Sequence, residues 1–390
     1  MNNFEYYAPT RMIFGRDTQK NVGGIIKQYG YNKVLLHYGG GSIKKTGLYD
    51  AVKLSIRGAG VEFIELGGVE PNPKLSLVLE GDKICRENGI ELVLAVGGGS
   101  VIDSAKLIAI AAKNDGDPWD FSLKKRNPTA ALPIGVILTL SASGSEMSSS
   151  AVITNQDGLL KRGYSTSFHR PLFAICNPEL TYTVNNFQTG CGIVDIMMHT
   201  LERYFSNSAD TDLTDRIAES LIRSTIDAGR VAIGNPQDYD ARATLMWASS
   251  LSHNDLTGMG RNVFMAVHQM EHELSGMYDF VAHGAGLSVL FPAWAKYVYK
   301  QNPKRFAQYA ERVWGCAEGG AIEQTALEGI MRTERFFEEI GMPTRLSQLG
   351  VSGDGITEMA DKCTFHGGRT LPGYIELDAA GIRAVFELAL

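Results

Sequence analysis

The sequence predicts two domains, an α/β domain on a parallel sheet over the first half and an all-helical domain over the second. Three observations carry this reading. The chain has 390 residues, more than one hydrophobic core ordinarily serves. Short apolar β-type runs alternate with helix-type runs in the first half, the pattern of parallel strands joined by helical crossovers. After Tyr182 the strand-like runs give way to long amphipathic segments.

The first strand is expected at 33–38 (KVLLHY), followed by GGGS at 39–42 and a helical pattern to Arg57. Residues 61–66 (VEFIEL) form the next strand, the prolines of 71–73 (PNP) mark a loop, and a helix follows over 75–88. The third strand is 91–96 (ELVLAV), with a second GGGS at 97–100 and a helix over 101–113. Residues 134–139 (IGVILT) make a fourth strand. The segment 177–184 (NPELTYTV) has the composition of a connection, which places the domains at 1–182 and 183–390.

Composition narrows the function classes. Hydrophobic residues make up 44% and charged residues 21%, ordinary for a soluble globular protein. The net charge of -6 argues against nucleic acid or an anionic membrane surface as partner. Apolar runs such as 130–140 are interrupted by Pro133 and Gly135 and are too short to span a bilayer. The first ten residues show no basic region followed by an apolar one. The five cysteines are dispersed and include no C-x-x-C pair, so reduced thiols in a cytoplasmic protein are expected.

Both GGGS tetrads follow a strand and open a helix. In a parallel sheet such turns lie at the carboxyl edge, where open α/β sheets bind ligands. Glycine lets the backbone approach a phosphate, and a helix N-terminus supplies free N–H groups. Two such turns suit one long anionic ligand, and a dinucleotide fits. Neither has the G-x-G-x-x-G spacing of the common dinucleotide fold, and either could serve simply as a tight turn. The segment 139–146 (TLSASGSE) follows the fourth strand and could line the same edge or be a solvated loop. Lys161, nearby in sequence, is an ambiguous cation.

The second half holds a different chemistry. Residues 264–286 contain three of the eight histidines, His268, His272 and His283. The first two are four apart in a helical stretch and so leave one helix face. His283 stands in a Gly-rich HGAG that can fold back towards them. A second helical segment, 193–205, offers Asp195 and His199, again at i, i+4. Each pair alone is also the spacing of a plain hydrogen bond. Together they make a donor set of imidazoles and one carboxylate suited to a divalent transition metal.

The residues YGGGSIKKTG (38–47), PNP (71–73), AVGGGSVIDSAK (95–106), LTLSASGSEMSSSAVITN (138–155) and NPELT (177–181) resemble the iron-containing alcohol dehydrogenase family, in its butanol dehydrogenase-like branch. So do GIVDIMMHTLERYF (192–205), HQMEHELSGMYD (268–279) and HGAGLSVLFPAW (283–294), which keep the family's order over most of the chain. The resemblance implies an N-terminal α/β nucleotide domain, a C-terminal helical domain of dehydroquinate synthase-like architecture, and bound Fe(2+) or Zn(2+). It implies that Asp195, His199, His268 and His283 are the ligands and gives His272 a nearby catalytic role without ligation. It carries cofactor contacts to Gly39, Ser42, Asn72, Gly98, Gly99, Ser100, Asp103, Thr139, Ser143 and Lys161. A homodimer is implied as well. The stretch from His272 to His283 is one residue longer than the family pattern, so the turn before His283 must absorb an insertion. Residues 260–267 are more apolar than usual, and Asn177 stands where many relatives have Asp.

The expected activity is reversible hydride transfer between NAD(P)(H) and a short-chain primary alcohol or aldehyde. Position 39 is where the resemblance places the choice of cofactor. Gly39 offers no carboxylate to repel a 2′-phosphate, and Lys44 and Lys45 add positive charge, so NADP(H) is expected over NAD(H). Rival readings are a glycerol dehydrogenase-like polyol oxidoreductase, a dehydroquinate synthase-like lyase, and a non-catalytic nucleotide-binding or assembly protein. The lyase needs Lys and Arg around the metal, and 192–205 with 263–283 contain only Arg203.

Overall fold

Residues 1–317 and 319–390 are described by a computed structural model, whose first half is organised on a parallel sheet. In chain order the elements are β1 (Arg11–Phe14), α1 (Val22–Gln28), β2 (Lys33–Gly39), α2 (Ser42–Lys45), α3 (Leu48–Gly58), β3 (Glu62–Val69) and α4 (Leu75–Asn88). There follow β4 (Leu92–Gly97), α5 (Gly99–Ala111), α6 (Trp119–Ser122), β5 (Ile134–Leu138), β6 (Ser150–Asn155), β7 (Leu160–Ser165) and β8 (Phe173–Cys176). Six strands lie in the order β1-β8-β5-β4-β2-β3, every neighbouring pair parallel. β4 and β5 are buried throughout, which is why LVLAVG and IGVIL read as continuous apolar runs rather than alternating ones. The register sets Tyr38 beside Val96 and Gly97 beside Leu138, so the turns after β2, β4 and β5 emerge side by side at the carboxyl edge.

The four strands expected from sequence are all present. β1 and β8 escape sequence reading because four-residue runs carry too little periodicity. The antiparallel β6–β7 hairpin escapes it because LKRGYS is mostly polar.

The second half is helical: α7 (Asn186–Tyr204), α8 (Asp212–Gly234), α9 (Tyr239–His253), α10 (Ala266–Met277), α11 (His283–Val298), α12 (Pro303–Trp314), α13 (Ile322–Glu339), α14 (Ile356–Cys363) and α15 (Ala379–Leu388). α7 starts where the Asn185 side chain accepts from the Gln188 N–H at 2.8 Å, an N-cap. From Thr189 to Tyr204 every residue of α7 is buried, which makes it the central helix of the domain. Phe205, Phe291, Trp294, Phe306 and Tyr374 form an aromatic core beyond its end, with Phe205 and Phe306 stacked at 4.2 Å.

Two compact units result, Tyr7–Val184 and Asn185–Leu390 joined by Met1–Tyr6. The first six residues therefore depart from the expected 1–182 domain. Their backbone is held by the helical unit, with Asn2 N donating to Gly260 O at 2.8 Å and Asn2 Nδ2 to Asn262 Oδ1 at 3.0 Å. Among the described residues no helix is long and apolar enough to cross a membrane, and the five cysteines are buried free thiols.

Candidate active site

Asp195 and His199 project from the buried middle of α7, one turn apart. His268 sits in the first turn of α10 and His283 is the first residue of α11. The HGAG that resembles a turn in the sequence is thus helical, and the turn is the preceding 278–282, closed by Val281 N donating to Tyr278 O at 2.8 Å. α11 can start there because Gly284 lies against α7: a Cβ at this position would stand 2.2 Å from Cys191 O.

Asp195, His199 and His268 set their donor atoms within 4.8 Å of one another, and His283, which also groups with Glu271 and His272, reaches Asp195 from α11. Asp195 Oδ1 lies 3.3 Å from His199 Nδ1, 3.5 Å from His268 Nε2 and 3.8 Å from His283 Nε2. Tetrahedral coordination with bonds of about 2.0–2.1 Å sets donor atoms roughly 3.3–3.4 Å apart. Asp195 Oδ1, His199 Nδ1 and His268 Nε2 are buried and make no hydrogen bond. Buried polar atoms are ordinarily paired, so three orphans aimed at one another are what a metal site leaves in the protein. Three imidazoles and a carboxylate fit Fe(2+) or Zn(2+).

The electrostatics agree. Burial, reinforced by His253, His268, Arg203 and His283, holds His199 well below the usual imidazole value. Burial also disfavours charge on His268, but Glu202 and Asp195 outweigh it and push this imidazole up to about 9. Glu202 and Asp195 thus make this centre favour positive charge, which a bound cation can supply in place of the second proton on His268.

His272, one turn beyond His268, is half-buried, with its ring 5.8 Å from that of His283. Its donor atoms group with those of Glu271 and His283 rather than with Asp195, His199 and His268.

Sequence reasoning missed three residues at this centre. Glu202, on α7, accepts a short hydrogen bond from His268 Nδ1, and Glu271, on α10, accepts one from His283 Nδ1. The His253 ring stacks on His199 at 3.9 Å. The available signal was spacing, since Glu202 and Glu271 each lie three residues after a histidine of the set.

The other predicted residues lie in the α/β unit. Gly39 ends β2, Ser42 opens α2, Gly98, Gly99 and Ser100 form the start of α5, and Thr139 follows β5, donating its N–H to Gly97 O at 3.1 Å. Ser143 lies in the loop beyond, its Oγ accepting from Ser145 N at 3.3 Å. Asp103 ties α5 to its surroundings: Ser145 Oγ donates to Oδ1 at 2.5 Å and Val152 N to Oδ2 at 2.9 Å. Lys161 is buried rather than solvated, and donates to Asn72 Oδ1 at 3.0 Å. Lys106, another residue missed, is fully buried and donates to Ser145 Oγ, Ser148 O and Ser150 O at 2.7–3.0 Å. The 139–149 segment is therefore a framework loop, with Ser145, Glu146 and Ser148 buried, and not a solvated one.

Comparison with known proteins adds independent findings. The chain matches the model of iron-containing alcohol dehydrogenases over residues 9–178 and that of the Fe-containing alcohol dehydrogenase family, C-terminal, over residues 189–390. It is 43% identical to NADH-dependent butanol dehydrogenase B of Clostridium acetobutylicum, covering 99% of each chain. It is 37% identical to NADPH-dependent aldehyde reductase YqhD of Escherichia coli, covering 100% of each. The crystal structure of NADH-dependent butanol dehydrogenase A from Thermotoga maritima superposes with a TM-score of 0.96 at 39% identity, over 100% of this chain and 99% of that one.

Proposed function

The chain belongs to the iron-containing alcohol dehydrogenase family, and from that premise we infer that it is an NAD(P)-dependent alcohol dehydrogenase and aldehyde reductase for short-chain primary alcohols and aldehydes of the butanol type. The observation that carries the site is the convergence of Asp195, His199, His268 and His283 with three buried atoms left unpaired. We read these four as ligands of Fe(2+) or Zn(2+). A divalent ion held there supplies Lewis acidity, lowering the pKa of an alcohol oxygen and polarising a carbonyl. The nicotinamide supplies or accepts the hydride, so no side-chain nucleophile is required.

The chain's own residues do the rest. The helices hold the donor atoms before any ligand arrives, and burial of α7 keeps water from competing for Asp195 and His199. His272 is half-buried beside His283, a place from which it exchanges a proton between the substrate oxygen and solvent. Phe264 and Met265, half-buried ahead of α10, favour an aliphatic substrate chain. Gly39, Ser42, Asn72, Gly98, Gly99, Ser100, Asp103, Thr139, Ser143 and Lys161 are our candidates for the cofactor site. The butanol dehydrogenase relatives are named for NADH and the aldehyde reductase for NADPH, so we take the preference from the β2 turn. It holds no carboxylate, and Lys44 and Lys45 follow it, which favours NADP(H). Free buried thiols support a cytoplasmic location, and we expect a homodimer.

The lyase reading loses its one cation, because buried Arg203 donates to His199 O at 2.6 Å and lies 3.9 Å from Asp255. The test is metal analysis of the purified protein alongside butyraldehyde-dependent oxidation of NADPH and NADH. A protein free of iron and zinc, or inert towards aldehydes when loaded with either, refutes the reading.

A further inference from the structure

We propose that Glu202 and Glu271 are positioning residues, which determine that His268 and His283 each offer Nε2 to the metal ion. This rests on the ligand reading above. A neutral imidazole carries its proton on one nitrogen and its lone pair on the other. In both rings Nε2 faces Asp195 Oδ1, at 3.5 and 3.8 Å. In both rings Nδ1 faces a carboxylate oxygen, of Glu202 for His268 and of Glu271 for His283. A carboxylate accepts but does not donate, so each holds the proton on Nδ1 and leaves the lone pair on Nε2. The same contact orients the ring and raises its basicity as a ligand.

Glu202 is itself held in place. Glu202 Oε1 accepts from Val267 N at 2.6 Å and Oε2 from His268 N at 3.1 Å. These N–H groups belong to the first turn of α10, whose N-cap residue Met265 provides no side-chain cap. Glu202 therefore caps α10 from α7 and orients its metal-binding ring with one side chain, as an anion at a helix N-terminus. Glu271 is fully buried, and Gly286 gives it room: a Cβ there would lie 2.8 Å from Glu271 Cγ. The closeness of Glu271 and His283 is thus accounted for by a carboxylate–imidazole hydrogen bond.

The test measures metal affinity, not turnover. Apoprotein is titrated with Zn(2+) against chromophoric chelators of graded strength, and its melting temperature is followed without metal. Glu271→Gln should bind Zn(2+) about 10–100-fold more weakly than the parent, the usual cost of losing such a partner, with little change in apoprotein melting. Glu202→Gln should weaken binding similarly and also lower apoprotein melting, since it loses part of the α10 cap. Because a purely structural role could also weaken binding, the deciding measurement is a double-mutant cycle. In a His283→Ala background, Glu271→Gln should cost nothing further in affinity. Unchanged affinity in Glu271→Gln, or equal losses with and without His283, would overturn the proposal. A parent protein that binds neither zinc nor iron would overturn the ligand reading itself.

Discussion

Replacing Gly39 by Asp should reverse the choice of nicotinamide cofactor. The position can take the change. Gly39 ends β2 in a backbone conformation open to any residue, and a Cβ there would meet Val69 O at 3.4 Å and Val101 Cγ2 at 3.8 Å, ordinary contacts. The variant should therefore fold as the parent does. A carboxylate about 5 Å from a 2′-phosphate is repelled by roughly 3 kcal/mol per pair of unit charges at an effective dielectric of about 20. Gly39 is half-buried, and screening over a Debye length of about 8 Å reduces this to roughly 1.5–3 kcal/mol, a ten- to hundredfold effect. The new carboxylate can also accept hydrogen bonds from the ribose hydroxyls of NADH, which moves the ratio in the same direction. Lys44 works the other way, though its ammonium is already shared with the Tyr38 and Tyr49 rings, at 5.1 and 5.0 Å. The assay is kcat/KM for butyraldehyde reduction with NADPH and NADH in parent, Gly39→Asp and Gly39→Asn. Asparagine matches the size of aspartate without its charge and should shift the ratio far less. A parent that already favours NADH, an unchanged ratio in Gly39→Asp, or an equal shift in Gly39→Asn would refute the reasoning.

Asp195→Ala should lose more metal affinity than the 10–100-fold typical of an outer carboxylate, and with it all activity, while circular dichroism stays that of the parent. Full metal content with parental turnover in that variant would exclude Asp195 as a ligand. His272→Ala should keep its metal and slow kcat by about a hundredfold if the imidazole transfers a proton, and metal analysis separates this from loss of a ligand. The α/β unit should weaken in acid. Burial holds His37 down to about 4 and His169, with Lys106 adding to the effect, to about 3. Their contribution is whole above the unfolded value near 6.5 and falls as the pH drops towards 4, because the unfolded chain takes up protons that the folded chain refuses. For His37 alone the loss approaches roughly 3 kcal/mol. Urea midpoints at pH 7.5 and 5.0 should show it, and His37→Gln should shrink the difference; an unchanged difference would mean that His37 is not the source.

The α/β half and the helical half were legible in local order, and so were the side chains of the candidate donor set. Alternating strands and helices, two glycine tetrads after strands and two i, i+4 pairs are short-range patterns, and backbone geometry alone turns them into strand ends and helix faces. Short segments were not legible: β1 and β8 are strands only because neighbouring chain offers them a ladder of hydrogen bonds. Lys161 is an ambiguous cation in the sequence and Lys106 carries no signal there, and only the fold shows each buried against fixed acceptors. The sequence by itself determined which side chains could bind a metal and that HGAG stood close enough to join them. The tertiary structure decided that HGAG is the start of a helix, that Asp195 Oδ1 stands within 3.8 Å of a nitrogen of each of three imidazoles, and that Glu202 and Glu271 stand behind two of the rings. The physical reason is distance along the chain. His268 and Glu202 are separated by 66 residues, and only the packing of α10 on α7 brings a carboxylate to one nitrogen while the other faces Asp195.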